Sequence, residues 1–229
     1  MTIPIPLARV AWPATYGIIA SRYPPIALFE RVAPPADWEA LADLESLTNP
    51  RLRQSYGEIS IVPVERRVAG SGASYVMAPF AHRRPSRFSD GQFGVYYAGR
   101  EFETALRETL HHALVFFTDT PALSPRSEDY RVLRGSVDAA LHDLRSGAGR
   151  PYLDPDDYGP ARQLGRDLWD GGSDGLVYPS VRNPGGECIG AFWPDVIGIP
   201  MQTRHLRYHF DGTRISRYFD SEAGAWADL

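Results

Sequence analysis

Residues 87–112 read RFSDGQFGVYYAGREFETALRETLHH. A lone arginine is followed by the Gly-bounded run FGVYYAG at 93–99 and then by EFETALRETLHHALVFF at 101–117. The first run, aromatic and apolar, is expected to form a buried strand. In the second, Phe102, Leu106, Leu110, Ala113 and Phe117 recur at helical spacing, and Glu101 and Glu103 suit the positive first turn of a helix. Glu108 falls about 150° from the centre of that apolar face at 3.6 residues per turn, so periodicity alone places it on the exposed side. A strand running straight into a helix, with this many polar groups beside it, is where a binding site is expected.

Upstream, IALFERV at 26–32 has strand character, with Arg31 near its end. The following PPADWEALADLESLTNP predicts a helix that Asp37 caps and Asn49-Pro50 stops. A strand is expected at ISIVPV, residues 59–64, then a Gly/Ser break at AGSGAS and a solvated basic loop at HRRPSR, residues 82–87. Downstream, a strand is predicted at 130–137 and a helix in DPDDYGPARQLGRDLWDGG, capped by Asp156 or Asp157 and ended by Gly171-Gly172. GLVYPSVR reads as an interior strand with Ser180 and Arg182 at its end, GECIGAFWPDVIGI as a strand pair, and HLRYHFDGTRISRYFD as a hairpin with a DG turn. Strands and helices mixed in this order predict an α+β fold: one domain over 1–229, with a mixed, mainly antiparallel β core and flanking helices.

Bulk properties narrow the function classes. With 43% hydrophobic and 23% charged residues the composition is that of a globular protein, and no apolar run nears the roughly 20 residues that span a bilayer. The opening MTIPIPLARVAW interrupts with proline what a secretory signal would need as an unbroken apolar core, so a cytoplasmic location is expected. A net charge of −4 argues against a broad nucleic-acid surface. Cys188 is the only cysteine, which excludes an intrachain disulfide and a cysteine-rich zinc site and reads as a buried structural thiol.

Several motifs fall short of a known chemistry. Ser180 lacks the G-x-S-x-G elbow of serine hydrolases, Pro179 standing where glycine is needed. Glu108 and His111 make the E-x-x-H spacing of di-iron bundles, but the chain lacks the further helices such a site draws on, and His111 and His112 read more simply as solvent-facing residues. GGSDG and NPGGE match neither a P-loop nor a dinucleotide fingerprint, and DPDDYG is only half a calcium loop. No metal site is expected. What remains is Arg31, Arg87, Tyr97, Glu108 and Ser180, each at or near an element end.

These pieces resemble a known family. FERVAP at 29–34, SRF at 86–88 followed by FGVYYAG, ETALRETLHH at 103–112, and GLVYPSVR with a following FWP are similar to the RES domain, named for its Arg, Glu and Ser. The resemblance covers about residues 26 to 210. It assigns the family's Arg to Arg31, with Arg51 and Arg53 as alternatives, its Glu to Glu108 and its Ser to Ser180. Arg87 takes the place of the Arg in the family's common R-W-N segment, here Arg87-Phe88-Ser89, and Tyr97 that of a strand tyrosine. Residues 1–25 are then an N-terminal extension and 51–84 an insert relative to shorter members.

The resemblance implies an ADP-ribosyltransferase-like fold and the toxin of a type II toxin–antitoxin pair, encoded with an Xre-like antitoxin. It implies NAD+ as substrate, with ADP-ribose passing to water, phosphate or a host protein. Glu108, Arg31 and Ser180 would be catalytic, and Arg31, Arg87, Tyr97 and Ser180 would bind NAD+. Of a different class is a non-catalytic nucleotide-binding or interaction module, which would bind the nucleotide and leave it intact.

Overall fold

In the computed structural model the described residues are 5–21, 33–48, 58–120 and 124–229. Two long strands make its frame. β1 (Leu7–Ala20) and β3 (Arg126–Asp143) run antiparallel along nearly their whole lengths, from Leu7↔His142 to Ala20↔Tyr130. Both alternate buried with exposed positions, Val10 and Trp12 turning inward from β1 and Val132, Val137 and Leu141 from β3. The prolines of the first residues disguise β1 in the sequence. Pro13 falls where the register shifts between Trp12 and Thr15, a bulge in which the missing N–H breaks no ladder bond.

The remaining strands among the described residues are β2 (Tyr96–Gly99), β4 (Gly175–Pro179), β5 (Glu187–Ala191), β6 (Ile197–Phe210), β7 (Ile215–Asp220) and β8 (Ala225–Asp228). They join in the order β1-β2-β5-β4-β3-β6-β7-β8, and the β1–β3 pairing closes the first five into a ring. β3 with β4 is parallel; the other pairs are antiparallel. This is the α+β architecture with a mixed, mainly antiparallel sheet that the sequence predicts. The extension at 1–25 is therefore, over Leu7–Ala20, an integral wall of the sheet. Within the ring β1 and β2 touch at one pair, Tyr16↔Gly99, and it is here that a cavity opens.

Among the described residues four helices pack on the sheet: α1 (Trp38–Thr48), α2 (Ala73–Ala81), α3 (Phe102–Asp119) and α4 (Gly159–Asp170). α2 follows the AGSGAS break and shows no helical periodicity because Ala73, Ser74, Val76, Met77, Phe80 and Ala81 are all buried. The strand expected at 59–64 is instead a pair of single 3-10 turns, Ile59–Ile61 and Val64–Arg66. Val62 N–H turns back to the Ile59 carbonyl at 3.0 Å, and Pro63 has no N–H to give a ladder. The strand expected at 26–32, with Arg31, lies outside the described residues, as do Arg51 and Arg53. The C-terminal hairpin forms as expected: β6 and β7 pair from Leu206↔Asp220 to Phe210↔Ile215, and Gly212 takes a φ of 112° in the turn.

Among the described residues three apolar clusters set the helices. α3 lays Leu106, Ala113 and Phe117 against Tyr130, Val132, Leu206 and Tyr208. α4 packs Ala161 and Leu164 against Phe88, Leu176, Tyr178 and Phe192, and α2 joins the Trp12, Val137 and Ile189 cluster on the other side. No helix among the described residues is long and apolar enough to cross a membrane.

Candidate functional site

With one face of α3 committed to the core, its opposite stripe is left over. Glu108, His111, His112 and Val115 follow at the i, i+3, i+4, i+7 spacing that shares a helix face. They border a cavity of about 510 Å³ whose other walls come from β1 at Tyr16–Ile18, from β2 at Tyr97–Gly99, and from Arg87, Tyr158 and Arg162. The helical wheel correctly turns Glu108 away from the core. That side faces a cleft, and Glu108 is half-buried.

Ser180, at the end of β4, reaches Glu108 from behind. Its Oγ donates to Glu108 Oε1 at 2.6 Å and accepts the backbone N–H groups of Arg182 at 3.2 Å and Asn183 at 2.9 Å. A serine hydroxyl has one proton and two lone pairs. With both lone pairs engaged by backbone donors, the proton is directed at the carboxylate, in the length range of a charge-assisted bond. The 180–186 loop is itself tied down: Ser180 N–H donates to the Gly186 carbonyl at 2.8 Å, and Asn183 Nδ2 donates to the buried Thr104 Oγ1 at 2.9 Å. Ser180 thus fixes one carboxylate oxygen and stands outside the cavity wall.

Tyr97 and Arg87 form a second unit. Tyr97 Oη lies 2.9 Å from Ser86 Oγ and accepts Phe88 N–H at 3.0 Å, so the phenol pins the 86–88 turn on either side of Arg87. Burial pushes the Tyr97 hydroxyl up to about 12, which keeps it protonated at neutral pH. Arg87 is 8% exposed; its Nη1 donates to the Asp154 carbonyl at 2.6 Å and its guanidinium lies 4.4 Å from the centre of the Tyr158 ring.

α4 brings a group that the sequence does not reveal. Arg162 donates from Nε to the Ser86 carbonyl at 2.9 Å, and its guanidinium is 5.7 Å from the Tyr158 ring centre. The close fit depends on Gly165, where any Cβ would strike the carbonyl oxygen of Phe88. Tyr158, just ahead of α4, owes its position to a tight turn: Asp154 accepts the N–H groups of Asp156 and Asp157, and Asp157 that of Gly159, each at 2.8 Å. The predicted caps are thus turn formers here; the residue preceding α4 is Tyr158.

Both imidazoles border the cavity; His112 is exposed, as read from the sequence. His111 is half-buried, and its pKa is lowered first by desolvation and then by the positive charge of Arg182. Burial likewise pushes the Cys188 thiol up to about 12, in keeping with an inert structural cysteine in β5. Of the first-turn acids of α3, Glu103 is spoken for by Arg107 at 2.7 Å. Among the described residues no three His, Cys, Asp or Glu side chains converge as metal ligands would. The structure therefore brings Arg87, Tyr97, Glu108 and Ser180 together, while Arg31 lies outside the described residues.

Residues 64–211 match the RES domain, which is well over half of the chain. The chain belongs to the RES domain family. The match includes Arg87, Tyr97, Glu108 and Ser180 and begins after Arg31. An uncharacterized protein of Sinorhizobium fredii, y4oC, is 32% identical over 203 residues, 88% of this RES chain and 84% of that protein. A chain of the M. tuberculosis MbcT–MbcA toxin–antitoxin complex is similar with a TM-score of 0.44 and 11% identity, covering 86% of both chains.

Proposed function

We propose that this RES domain cleaves the nicotinamide–ribose bond of NAD+ in the Glu108 cavity, transfers ADP-ribose to an acceptor, and acts as the toxin partner of an Xre-like antitoxin. The observation that carries the reading is the Glu108 carboxylate, held at one oxygen by Ser180 and facing a cavity that also presents Arg87. Family membership supports the substrate, since NAD+ consumption is the chemistry the RES resemblance implies.

The reaction suits one carboxylate. As the bond between ribose C1′ and the pyridinium nitrogen breaks, its electron pair neutralises the leaving nicotinamide, which needs no proton. Positive charge develops on the ribose as in glycoside hydrolysis. The free oxygen of Glu108 would stabilise that charge or hold a ribose hydroxyl. The acceptor then bonds to C1′ and gives up a proton, to Glu108 or to solvent. Arg87 would hold a phosphate, and Tyr97 keeps Arg87 in place through the 86–88 turn. A cavity of about 510 Å³ falls within the range of small-molecule sites, roughly 300–1,000 Å³.

In this scheme Ser180 is a positioning residue. Ser180→Ala is expected to lower kcat by roughly 10-fold, the worth of about one charged hydrogen bond, with little change in KM. Ser180→Thr, which keeps the hydroxyl, should recover most of the loss. A raised KM at full kcat would place Ser180 against the substrate instead.

The acceptor is open to mass spectrometry of the products from NAD+, with and without phosphate and cell lysate. ADP-ribose, its phosphorylated form, or ADP-ribose retained on a protein would each identify one acceptor; recovery of intact NAD+ in every arm would overturn the proposal.

A further inference from the structure

We infer that Arg162 and Arg87, braced against the ring of Tyr158, form a two-armed clamp for a phosphate or diphosphate group, with Arg162 a ligand-binding residue in its own right. The inference rests on the reading of the cavity as a nucleotide site. Three observations carry it.

The first is charge left uncompensated. Arg66 meets Asp174 and Asp195 at 2.7 Å, and Arg204 meets Asp220 at 2.8 Å. Among the described residues neither Arg87 nor Arg162 has an ion-pair partner, although Arg87 is 8% exposed. Burying a guanidinium without a counter-charge is unfavourable, and an arriving anion reverses the sign of that term. Asp154 lies within electrostatic reach of Arg87 but makes no ion pair with it: its carboxylate accepts the backbone N–H groups of Asp156 and Asp157, and Arg87 bonds to its carbonyl.

The second is donor geometry. Each guanidinium carries five N–H donors in a planar fork. Arg162 uses Nε on the Ser86 carbonyl, and Arg87 uses Nη1 on the Asp154 carbonyl. Both Nη groups of Arg162 and Nη2 of Arg87 have no acceptor among the described residues, and both side chains line the cavity. The third is that both are already fixed. Cation–π contact with Tyr158 at 4.4 and 5.7 Å and one backbone bond apiece hold the guanidiniums before any ligand arrives, which lowers the entropy lost on binding.

Calorimetry on the full chain separates this inference from the proposed reaction. Pyrophosphate, ADP and adenosine are titrated into wild type, Arg162→Gln and Arg162→Lys, with circular dichroism to establish that each variant folds. Wild type should bind ADP and pyrophosphate far more tightly than adenosine. Arg162→Gln should weaken both phosphate ligands by about 10- to 100-fold, as expected for loss of a charge-assisted fork, and leave adenosine unchanged. Arg162→Lys, keeping charge but not the fork, should fall between. ADP affinity within twofold of wild type in Arg162→Gln, or equal affinity of wild type for ADP and adenosine, would overturn the clamp. NAD+ turnover is scored separately: loss of the proposed reaction with Arg162-dependent ADP binding intact would sink the reaction and keep the clamp.

Discussion

Glu108→Gln is expected to lower nicotinamide release from NAD+ by about 100- to 1,000-fold, the range for removing one preorganised electrostatic group from a transition state. The change is nearly isosteric. The amide oxygen of the substituted side chain can still accept the Ser180 proton, so the hydrogen-bonded scaffold of Ser180, Arg182 and Asn183 survives. What disappears is the negative charge facing the ribosyl cation. Because that charge matters most as the glycosidic bond breaks, the loss should fall on kcat, with NAD+ affinity by calorimetry within a few-fold of wild type. Retained turnover in a folded Glu108→Gln protein would remove Glu108 from the chemistry.

Arg87→Ala is expected to cut kcat/KM by about 100-fold, mainly through KM, since a charge-assisted bidentate contact contributes roughly 1.5–3 kcal/mol and the substrate's own phosphate would be left without its partner. Arg87 also ties the 154–158 turn through the Asp154 carbonyl and the Tyr158 ring, so truncation loosens the wall on which Arg162 rests. Arg87→Lys distinguishes the two roles. Lysine keeps a charge but not the planar fork, so a steady-state assay should show a KM intermediate between wild type and alanine. A lysine variant as impaired as alanine would mean that stacking on Tyr158 dominates.

How far the sequence reveals this site depends on which contacts are local. The strand-to-helix unit of Tyr97 and Glu108 is legible because periodicity shows both the core face of α3 and the residues left off it. What periodicity does not show is what lies opposite. His111 and His112 read as solvent-facing for the same reason as Glu108, yet all three border the cavity. β1 is hidden because Pro4, Pro6 and Pro13 argue against a strand, and only tertiary pairing reveals that Pro13 sits at a bulge. Arg162 carries no local mark. It looks like any arginine on a polar helix face, and its role depends on α4 crossing the 86–88 turn at Gly165, a long-range packing event. Tyr97, which the resemblance makes a binder of NAD+, has its hydroxyl engaged in holding the loop beside Arg87.

If this cavity breaks the nicotinamide–ribose bond, the most direct test is to incubate purified wild-type protein with NAD+, alone, with phosphate and with cell lysate, and to quantify free nicotinamide against NAD+ consumed relative to matched arms lacking the protein. Repeated turnover is expected, with one nicotinamide released per NAD+ lost. NAD+ that binds by calorimetry and is recovered intact in every arm would contradict that chemistry and make the domain a nucleotide-binding module.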